Sequence, residues 1–192
     1  DLGVHLHEAL QREICGPDGR ALNRVGTFAN LEPNQLPKFV QNLLIDFNVT
    51  ALNSAVRAMP GGNVTAAQSI QPALDNFPAA ATQLRMRQQG TVKSWLPDPP
   101  PPPHVEPAVK PYSAGAGQYP TVGRAALFSA MLSNGYGQTI GNDIQRTLQN
   151  LGNSLGELSA YTATEESKVS ADISVYVGFS LSGGTGAGLF ID

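Results

Sequence analysis

Glycine is concentrated near the end of the chain, in residues 182–188, which read SGGTGAG. Four glycines fall within six positions, and glycine lets the backbone adopt positive φ and approach a ligand closely. Backbone N–H groups between a strand and a helix favour an anion, above all a phosphate. Ser182 and Thr185 add two hydroxyl donors. A tight turn that binds nothing would need fewer glycines, so this glycine-rich segment 182–188 predicts a phosphate site.

Common phosphate-loop motifs do not fit the glycine-rich segment. A Walker A loop requires Lys and then Ser or Thr after its last glycine, where this chain has Leu189. The dinucleotide fingerprint G-x-G-x-x-G would need glycine at that same position. A nucleophile elbow G-x-S-x-G is nearly present in residues 178–182, GFSLS, with Ser180 as the nucleophile. Its fifth residue is serine, and no pattern identifies the histidine and acid partners. An α/β serine hydrolase therefore stays as an alternative.

Two strands are predicted to position these residues. Residues 173–181, ISVYVGFSL, are β-branched, aromatic and nearly all apolar, which is typical of a strand buried in a parallel sheet. Residues 43–45 predict a second buried strand, which brings the carboxylate of Asp46 to its C-terminal end. The glycine-rich segment would then lie between the first of these strands and a helix that begins at Leu189.

Helices are predicted around the strands from apolar spacing and from breaking residues. The first ends at the turn GPDG, residues 16–19. The clearest has apolar residues spaced 4, 3, 4 and 3 over 144–158, a single stripe that should face a core. With the strands, they predict an α/β fold, a three-layer Rossmann-like parallel sheet with helices on both faces. The predicted helices are 2–14, 49–59, 66–74, 79–89, 123–132 and 144–158.

A proline-rich segment at about residues 96–112 divides the chain. Residues 97–111 hold eight of the fifteen prolines. Such a segment cannot join a helix or a central strand and prefers the polyproline II conformation. We predict an exposed insertion or linker, with an SH3-like partner as the alternative.

Composition narrows the class of protein. The net charge of −3 counts against a nucleic-acid-binding surface, which would show clustered Lys and Arg. No apolar run approaches the roughly 18 to 20 residues that span a bilayer. The first eight residues have neither the basic end nor the apolar centre of a signal peptide. Cys15 is the single cysteine, which favours a reducing compartment. We therefore expect a cytoplasmic protein without a transmembrane segment.

The glycine-rich segment resembles the signature loop of the tubulin superfamily, whose usual form is GGGTGSG or GGGTGTG. Its flanking sequence is similar in particular to the bacterial tubulin-like proteins. Two more segments match in the same order. Residues 115–126, GAGQYPTVGRAA, resemble the loop that FtsZ-type proteins place against the γ-phosphate, and residues 44–52, LIDFNVTAL, resemble their second strand. The resemblance implies a partial tubulin-type nucleotide-binding domain over residues 1–192.

That resemblance implies GTP or GDP as the ligand, with Mg²⁺ as a candidate second ligand near Asp46 or Asn48. The GAG loop 115–117 would close over the γ-phosphate. Arg124 is either a phosphate partner or an ordinary surface or packing residue, and no residue is assigned as a metal ligand. The residues implied in nucleotide binding are Ser182, Gly183, Gly184, Thr185, Gly186, Ala187, Gly188, Gly115, Ala116, Gly117, Arg124 and Asp46.

Hydrolysis is a separate expectation. In the superfamily the acids that position the attacking water come from the next subunit, so no catalytic residue is assigned to this chain. The family's first phosphate loop is missing, and its Asn-Thr-Asp run is replaced by residues 46–48, Asp-Phe-Asn. The resemblance implies a full-length GTPase that self-associates into filaments or assemblies, and we expect this piece alone to be inactive. The remaining alternative is a tubulin-fold scaffold that works without nucleotide.

Overall fold

The computed structural model of the chain describes residues 2–67, 76–87, 89–96, 114–132, 137–162 and 173–189. Over these ranges the chain is α/β and mostly helical, with a small two-stranded parallel sheet. The chain divides into two compact units. Unit 1 consists of Asp1–Leu44, Asn53–Ala66 and Asp143–Gly178, and unit 2 consists of Ile45–Leu52, Ala67–Asn142 and Phe179–Asp192.

Unit 1 begins with helix α1 (Leu2–Cys15), which confirms the helix predicted over residues 2–14. The helix ends at the predicted turn, where Gly16 and Gly19 have φ of +74° and +69°, a conformation that suits glycine. Two short 3-10 helices follow, Ala21–Arg24 and Gly26–Phe28. The buried core of unit 1 consists of Cys15, Leu22, Phe28 and Leu36.

The sheet pairs β1 (Asn42–Ile45) with β2 (Val64–Ala67). The strand predicted at residues 43–45 is thereby confirmed, but its residues are half-buried and not fully buried as predicted. The helix predicted over residues 66–74 is wrong at its start, because β2 includes its first two residues. The rest of that prediction lies outside the described residues.

Asn63 explains why the chain enters a strand at this alanine-rich stretch. It has a φ of +47°, in a region that asparagine tolerates better than most residues. Its side-chain amide fixes the chain just before β2, so tertiary hydrogen bonds override the local pattern. The acceptors are the backbone carbonyl oxygens of Leu36 (3.0 Å), Pro37 (2.8 Å) and Val40 (3.0 Å).

Helices α2 (Val49–Arg57) and α3 (Phe77–Arg87) correspond to the helices predicted over 49–59 and 79–89. Both start at an asparagine whose side-chain oxygen accepts a backbone N–H of the first turn, the usual N-cap arrangement. Asn48 accepts from Ala51 at 3.0 Å, and Asn76 accepts from Ala79 at 3.0 Å.

Unit 2 continues with α4 (Gln89–Val92) and α5 (Pro120–Leu132). Proline suits the first position of α5, because no intrahelical hydrogen bond is lost there. The helix confirms the one predicted over 123–132 and starts three residues earlier. The buried core of unit 2 consists of Phe47, Phe77, Ala80, Ala81, Leu84, Val92, Leu96, Ala116, Val122, Ala125 and Ala126.

Helices α6 (Gly137–Asn153) and α7 (Leu155–Thr162) replace the single helix predicted over 144–158. Its apolar stripe was expected to face a core, and this expectation is wrong. Three stripe residues, Ile144, Leu148 and Leu155, are 42%, 44% and 48% exposed, whereas Asp143, Thr147 and Ser154 are buried. The buried polar side chains have local partners. Asp143 pairs with Arg146. Thr147 Oγ1 donates to Asp143 O at 2.8 Å, and Ser154 Oγ donates to Leu151 O at 2.7 Å.

Residues 173–180 do not form the predicted buried strand. They have no regular secondary structure, and Val175, Tyr176 and Val177 are 72%, 86% and 73% exposed. A strand needs a hydrogen-bonded neighbour, and among the described residues the sheet contains only β1 and β2. The described residues therefore do not form the predicted three-layer parallel sheet.

The last described element is α8 (Gly184–Leu189), so the helix expected to begin at Leu189 begins at Gly184. None of the helices in the described part of the chain is long and apolar enough to cross a bilayer. The proline-rich segment predicted at about 96–112 lies almost entirely outside the described residues.

Candidate functional site

The two predicted glycine loops meet in unit 2. The backbone N–H of Gly184 donates to the carbonyl oxygen of Gly117 at 2.6 Å. In the GAG loop 115–117, Gly115 and Gly117 have φ of +93° and +59°, a conformation that favours glycine at both positions. A Cβ added at Gly184 would lie 2.6 Å from the carbonyl oxygen of Ala116. The backbones of the two loops are therefore in direct contact.

The N–H groups of the glycine-rich segment are partly used within the protein. Gly183 donates to Ser180 O at 3.3 Å, and Ala187 donates to Gly183 O at 3.1 Å. With Gly184, three of the predicted phosphate donors thus have protein acceptors. Within the described ranges, no backbone acceptor is recorded for the N–H groups of Thr185 and Gly186. Both lie in the first turn of α8, where N–H groups lack intrahelical acceptors.

Glycines also bring α5 and α8 into backbone contact. A Cβ added at Gly123 of α5 would overlap the carbonyl oxygen of Gly184. A Cβ added at Gly188 would lie 2.7 Å from the backbone nitrogen of Arg124. A Cβ added at Gly183, by contrast, would lie 3.6 Å from its nearest neighbouring atom, which is an ordinary van der Waals distance. Contacts between α5 and α8 therefore explain Gly123 and Gly188, and contact with residues 116–119 explains Gly184, but neither requires a glycine at position 183.

Gly123 has a role in the site that the sequence analysis missed. The sequence predicts Gly123 as the start of a helix and as part of the 115–126 match, yet its missing side chain also lets the glycine-rich segment lie against α5. The available signal was the glycine itself, because glycine is unfavourable inside a helix unless packing or a ligand requires it.

Asp46 follows β1 directly and reaches the glycine-rich segment. Its Oδ1 accepts the Thr185 hydroxyl at 3.2 Å and the backbone N–H of Asn48 at 3.1 Å. Asn48 in turn lies beside the GAG loop, since a Cβ added at Gly115 would be 3.6 Å from its Cβ. The structure thus places the predicted carboxylate beside the glycine-rich segment and its neighbour Asn48 beside the GAG loop 115–117.

Ser180 and Ser182 lie at the exposed side of the segment, with their hydroxyl oxygens 2.9 Å apart. A serine nucleophile needs a base such as histidine to take its proton. In the described part of the chain, no histidine or carboxylate is recorded within hydrogen-bond distance of Ser180. The geometry therefore adds no support for the serine hydrolase.

Arg124 contacts an aromatic pair. Its guanidinium carbon lies 4.8 Å from the ring centre of Trp95 and 5.9 Å from that of Phe128. This arrangement is typical of a cation–π contact and agrees with the packing interpretation of Arg124. A phosphate contact of Arg124 stays a prediction. The sequence analysis did not single out Trp95 as its partner.

Comparison with known proteins gives one result. The chain matches the family model described as tubulin-like over residues 3–192, a range that includes both glycine loops and Asp46. No curated protein and no solved structure matches the chain.

Proposed function

The chain belongs to the tubulin-like family, and from this premise we propose that it binds a guanine nucleotide, GTP or GDP, at its two glycine loops. The observation that carries the proposal is the hydrogen bond from Gly184 N to Gly117 O, which joins two loops distant in sequence. Two glycine-rich backbones in contact offer N–H groups without side chains that would block a phosphate.

Within this proposal the α- and β-phosphates lie at the glycine-rich segment. The N–H groups of Thr185 and Gly186 are the best donors, because their neighbours already have protein acceptors. Ser182 is exposed and adds a hydroxyl. The GAG loop 115–117 closes over the γ-phosphate, so its conformation would differ between GTP and GDP.

Mg²⁺ fits the same place by the chemistry of the side chains. Asp46 and Thr185 hold a carboxylate oxygen and a hydroxyl oxygen 3.2 Å apart. Mg²⁺ prefers oxygen ligands and is commonly bound by one or two carboxylates together with substrate phosphates. Thr185 would hold the ion through its hydroxyl oxygen, with Asp46 and Asn48 as further candidates through a bound water. The ion would neutralise phosphate charge.

The proposal extends to the whole protein as a nucleotide-dependent assembly GTPase, similar to the bacterial and FtsZ-like tubulins and working in the cytoplasm. Its complete nucleotide-binding domain would contain the three-layer parallel sheet. Turnover would require self-association, because the family's water-positioning acids come from the next subunit. Phosphoryl transfer depends on such positioning and on charge stabilisation.

Gly183 gives the cleanest test of nucleotide binding, because a side chain there meets no protein atom closer than 3.6 Å at its Cβ. Gly183→Glu adds a negative charge beside the proposed phosphates, and Gly183→Gln adds a side chain of the same size without charge. We expect the glutamate variant to bind a fluorescent GTP analogue about tenfold more weakly than the glutamine variant, a loss of about 1.4 kcal/mol. Titration of both variants measures the difference.

Thermal unfolding of both variants is the control, and both should have the melting temperature of the wild-type protein. Equal affinities of the two folded variants would contradict the placement of the phosphates. A folded wild-type protein that binds no nucleotide would contradict the proposed function and favour the nucleotide-independent scaffold.

A further inference from the structure

Asp46 connects two parts of unit 2 that are far apart in the sequence. One carboxylate oxygen, Oδ1, accepts a backbone N–H from Asn48 and a hydroxyl from Thr185, which lies 139 residues away. The two donors belong to different elements, the start of α2 and the first turn of α8. Asp46 therefore fixes a side chain of the glycine-rich segment relative to the end of β1.

The carboxylate is itself held by local structure. The bond from the Asn48 N–H, at 3.1 Å, closes a turn in which an aspartate accepts from the residue two positions later. Asn48 is in turn fixed as the N-cap of α2, where its Oδ1 accepts the Ala51 N–H at 3.0 Å. An acceptor that is anchored on its own side can hold the Thr185 hydroxyl in one orientation.

The orientation of Thr185 determines what its hydroxyl offers to a ligand. A hydroxyl has one proton to donate and two lone pairs. Because Thr185 gives its proton to Asp46, only lone pairs remain for a bound molecule. A phosphate oxygen is also an acceptor, so a direct contact between the two would be repulsive. Thr185 must then meet a cation, a water or a ligand hydroxyl. The sequence alone suggested the opposite, a hydroxyl that donates to phosphate.

We propose that Asp46 is a positioning residue that holds Thr185 as an acceptor within the nucleotide site. The inference rests on the proposed nucleotide binding and deepens it. Asp46 acts through Thr185, so the two side chains should contribute to nucleotide affinity as one unit. Loss of either should weaken binding of GTP, and loss of both should cost little more than loss of one.

Two substitutions at Asp46 distinguish its bond with the Thr185 hydroxyl from its local bond with the Asn48 N–H. Asp46→Ser keeps an oxygen that can accept the Asn48 N–H, but its side chain is too short to reach Thr185. Asp46→Asn keeps both acceptor functions and removes the charge. At the other end, Thr185→Val removes the hydroxyl at nearly constant volume, and Thr185→Ser keeps it.

The experiment is a double-mutant cycle read by titration with a fluorescent GTP analogue and its GDP counterpart in the presence of Mg²⁺. We expect Asp46→Ser and Thr185→Val each to weaken GTP binding about tenfold, with the double variant within about threefold of either single variant. Asp46→Asn and Thr185→Ser should stay within about threefold of wild type. Thermal unfolding of each variant is the control, because a merely structural role would lower affinity only in variants whose melting temperature also falls.

The outcomes separate the two proposals. Effects that multiply to about a hundredfold in the double variant would overturn the positioning role, as would wild-type affinity in Asp46→Ser. So would an Asp46→Asn variant as weak as Asp46→Ser, since charge alone would then explain the effect. A wild-type protein that binds neither GTP nor GDP would instead overturn the proposed function. Should Asp46→Ser fail to fold, the pair Thr185→Val and Thr185→Ser decides, because equal affinities of those two would exclude a role for the hydroxyl.

Discussion

His7 lies on α1 in unit 1 and has no exposed surface. Most other residues of this helix are exposed or half-buried. Burial lowers the pKa of His7 below the ordinary value of 6.5, and the Pro60 carbonyl and the Glu8 carboxylate offset part of this effect. The folded protein therefore resists protonation of His7, whereas the unfolded chain accepts it below about pH 6.5. Because a buried ring excludes its charged form, acid should destabilise unit 1.

We predict that the free energy of unfolding falls as the pH is lowered from about 7.5 to about 5.5, by at most about 1.4 kcal/mol per pH unit from His7. Below pH 6.5 the unfolded state binds a proton that folded His7 does not, which fixes the sign. Denaturant unfolding at several pH values measures it. His7→Gln should flatten this dependence. A wild-type slope that survives His7→Gln would assign the effect to other groups.

Residues of the candidate site could be predicted from the sequence, but the contacts between them could not. Asp46 was identified because a carboxylate directly after a strand points to a sheet edge, and Gly184 because glycines cluster around it. The bond between Asp46 and Thr185 was not foreseeable, since no local pattern links positions 139 residues apart. Such pairings are set by how the elements pack.

Among the described elements, α5 and α8 are in the most extensive contact, and Gly123 is a residue that allows it. We predict that Gly123→Ala lowers the free energy of unfolding by about 1–3 kcal/mol, because its Cβ would overlap the Gly184 carbonyl group. Nucleotide affinity should fall as well, since α8 would be displaced. Denaturant unfolding and nucleotide titration measure the two effects.

The matched control is Gly141→Ala, at another glycine inside a helix. Gly141 lies in α6 with no atom within 4 Å of an added Cβ. Alanine there should raise the free energy of unfolding by about 0.5–1 kcal/mol through its higher helix propensity. If both variants were equally stable, the backbone contact between α5 and α8 would not be what requires glycine at position 123.

Elements with a strong local signal were predicted well. Helix α1 stops at a GPDG turn, and β1 is a short apolar run. The errors occur where tertiary contacts determine the secondary structure. At β2, the hydrogen bonds of Asn63 favour a strand where the sequence predicts a helix. The apolar stripe of α6 and α7 was read correctly as a pattern, but the polar side of these helices is the buried one.

At the scale of the whole molecule, the sequence and the structure differ most at residues 173–180. The sequence predicts a buried strand, and the structure shows side chains that are largely exposed. A buried strand tolerates no charge, whereas an exposed segment does. The two descriptions therefore differ in a measurable way.

We predict that Val175→Lys changes the free energy of unfolding by no more than about 0.5 kcal/mol, because Val175 is 72% exposed. Thermal or denaturant unfolding of the variant measures it. Leu84→Lys is the control, since Leu84 has no exposed surface in the core of unit 2 and lysine there should prevent folding. Unfolding of the Val175→Lys variant would restore the buried strand that the sequence predicts.

Unit 2 carries an optical reporter, and unit 1 carries a chemical one. The only tryptophan of the chain, Trp95, packs in unit 2 beneath Arg124, and the only cysteine, Cys15, is 1% exposed in the core of unit 1. Burial also raises the pKa of the Cys15 thiol, which slows its reaction with labelling reagents until unit 1 opens. Tryptophan emission and thiol labelling therefore follow the opening of unit 2 and of unit 1 separately, in the unmodified natural sequence. Their transition midpoints reveal directly whether the domain unfolds as one cooperative body or in two steps.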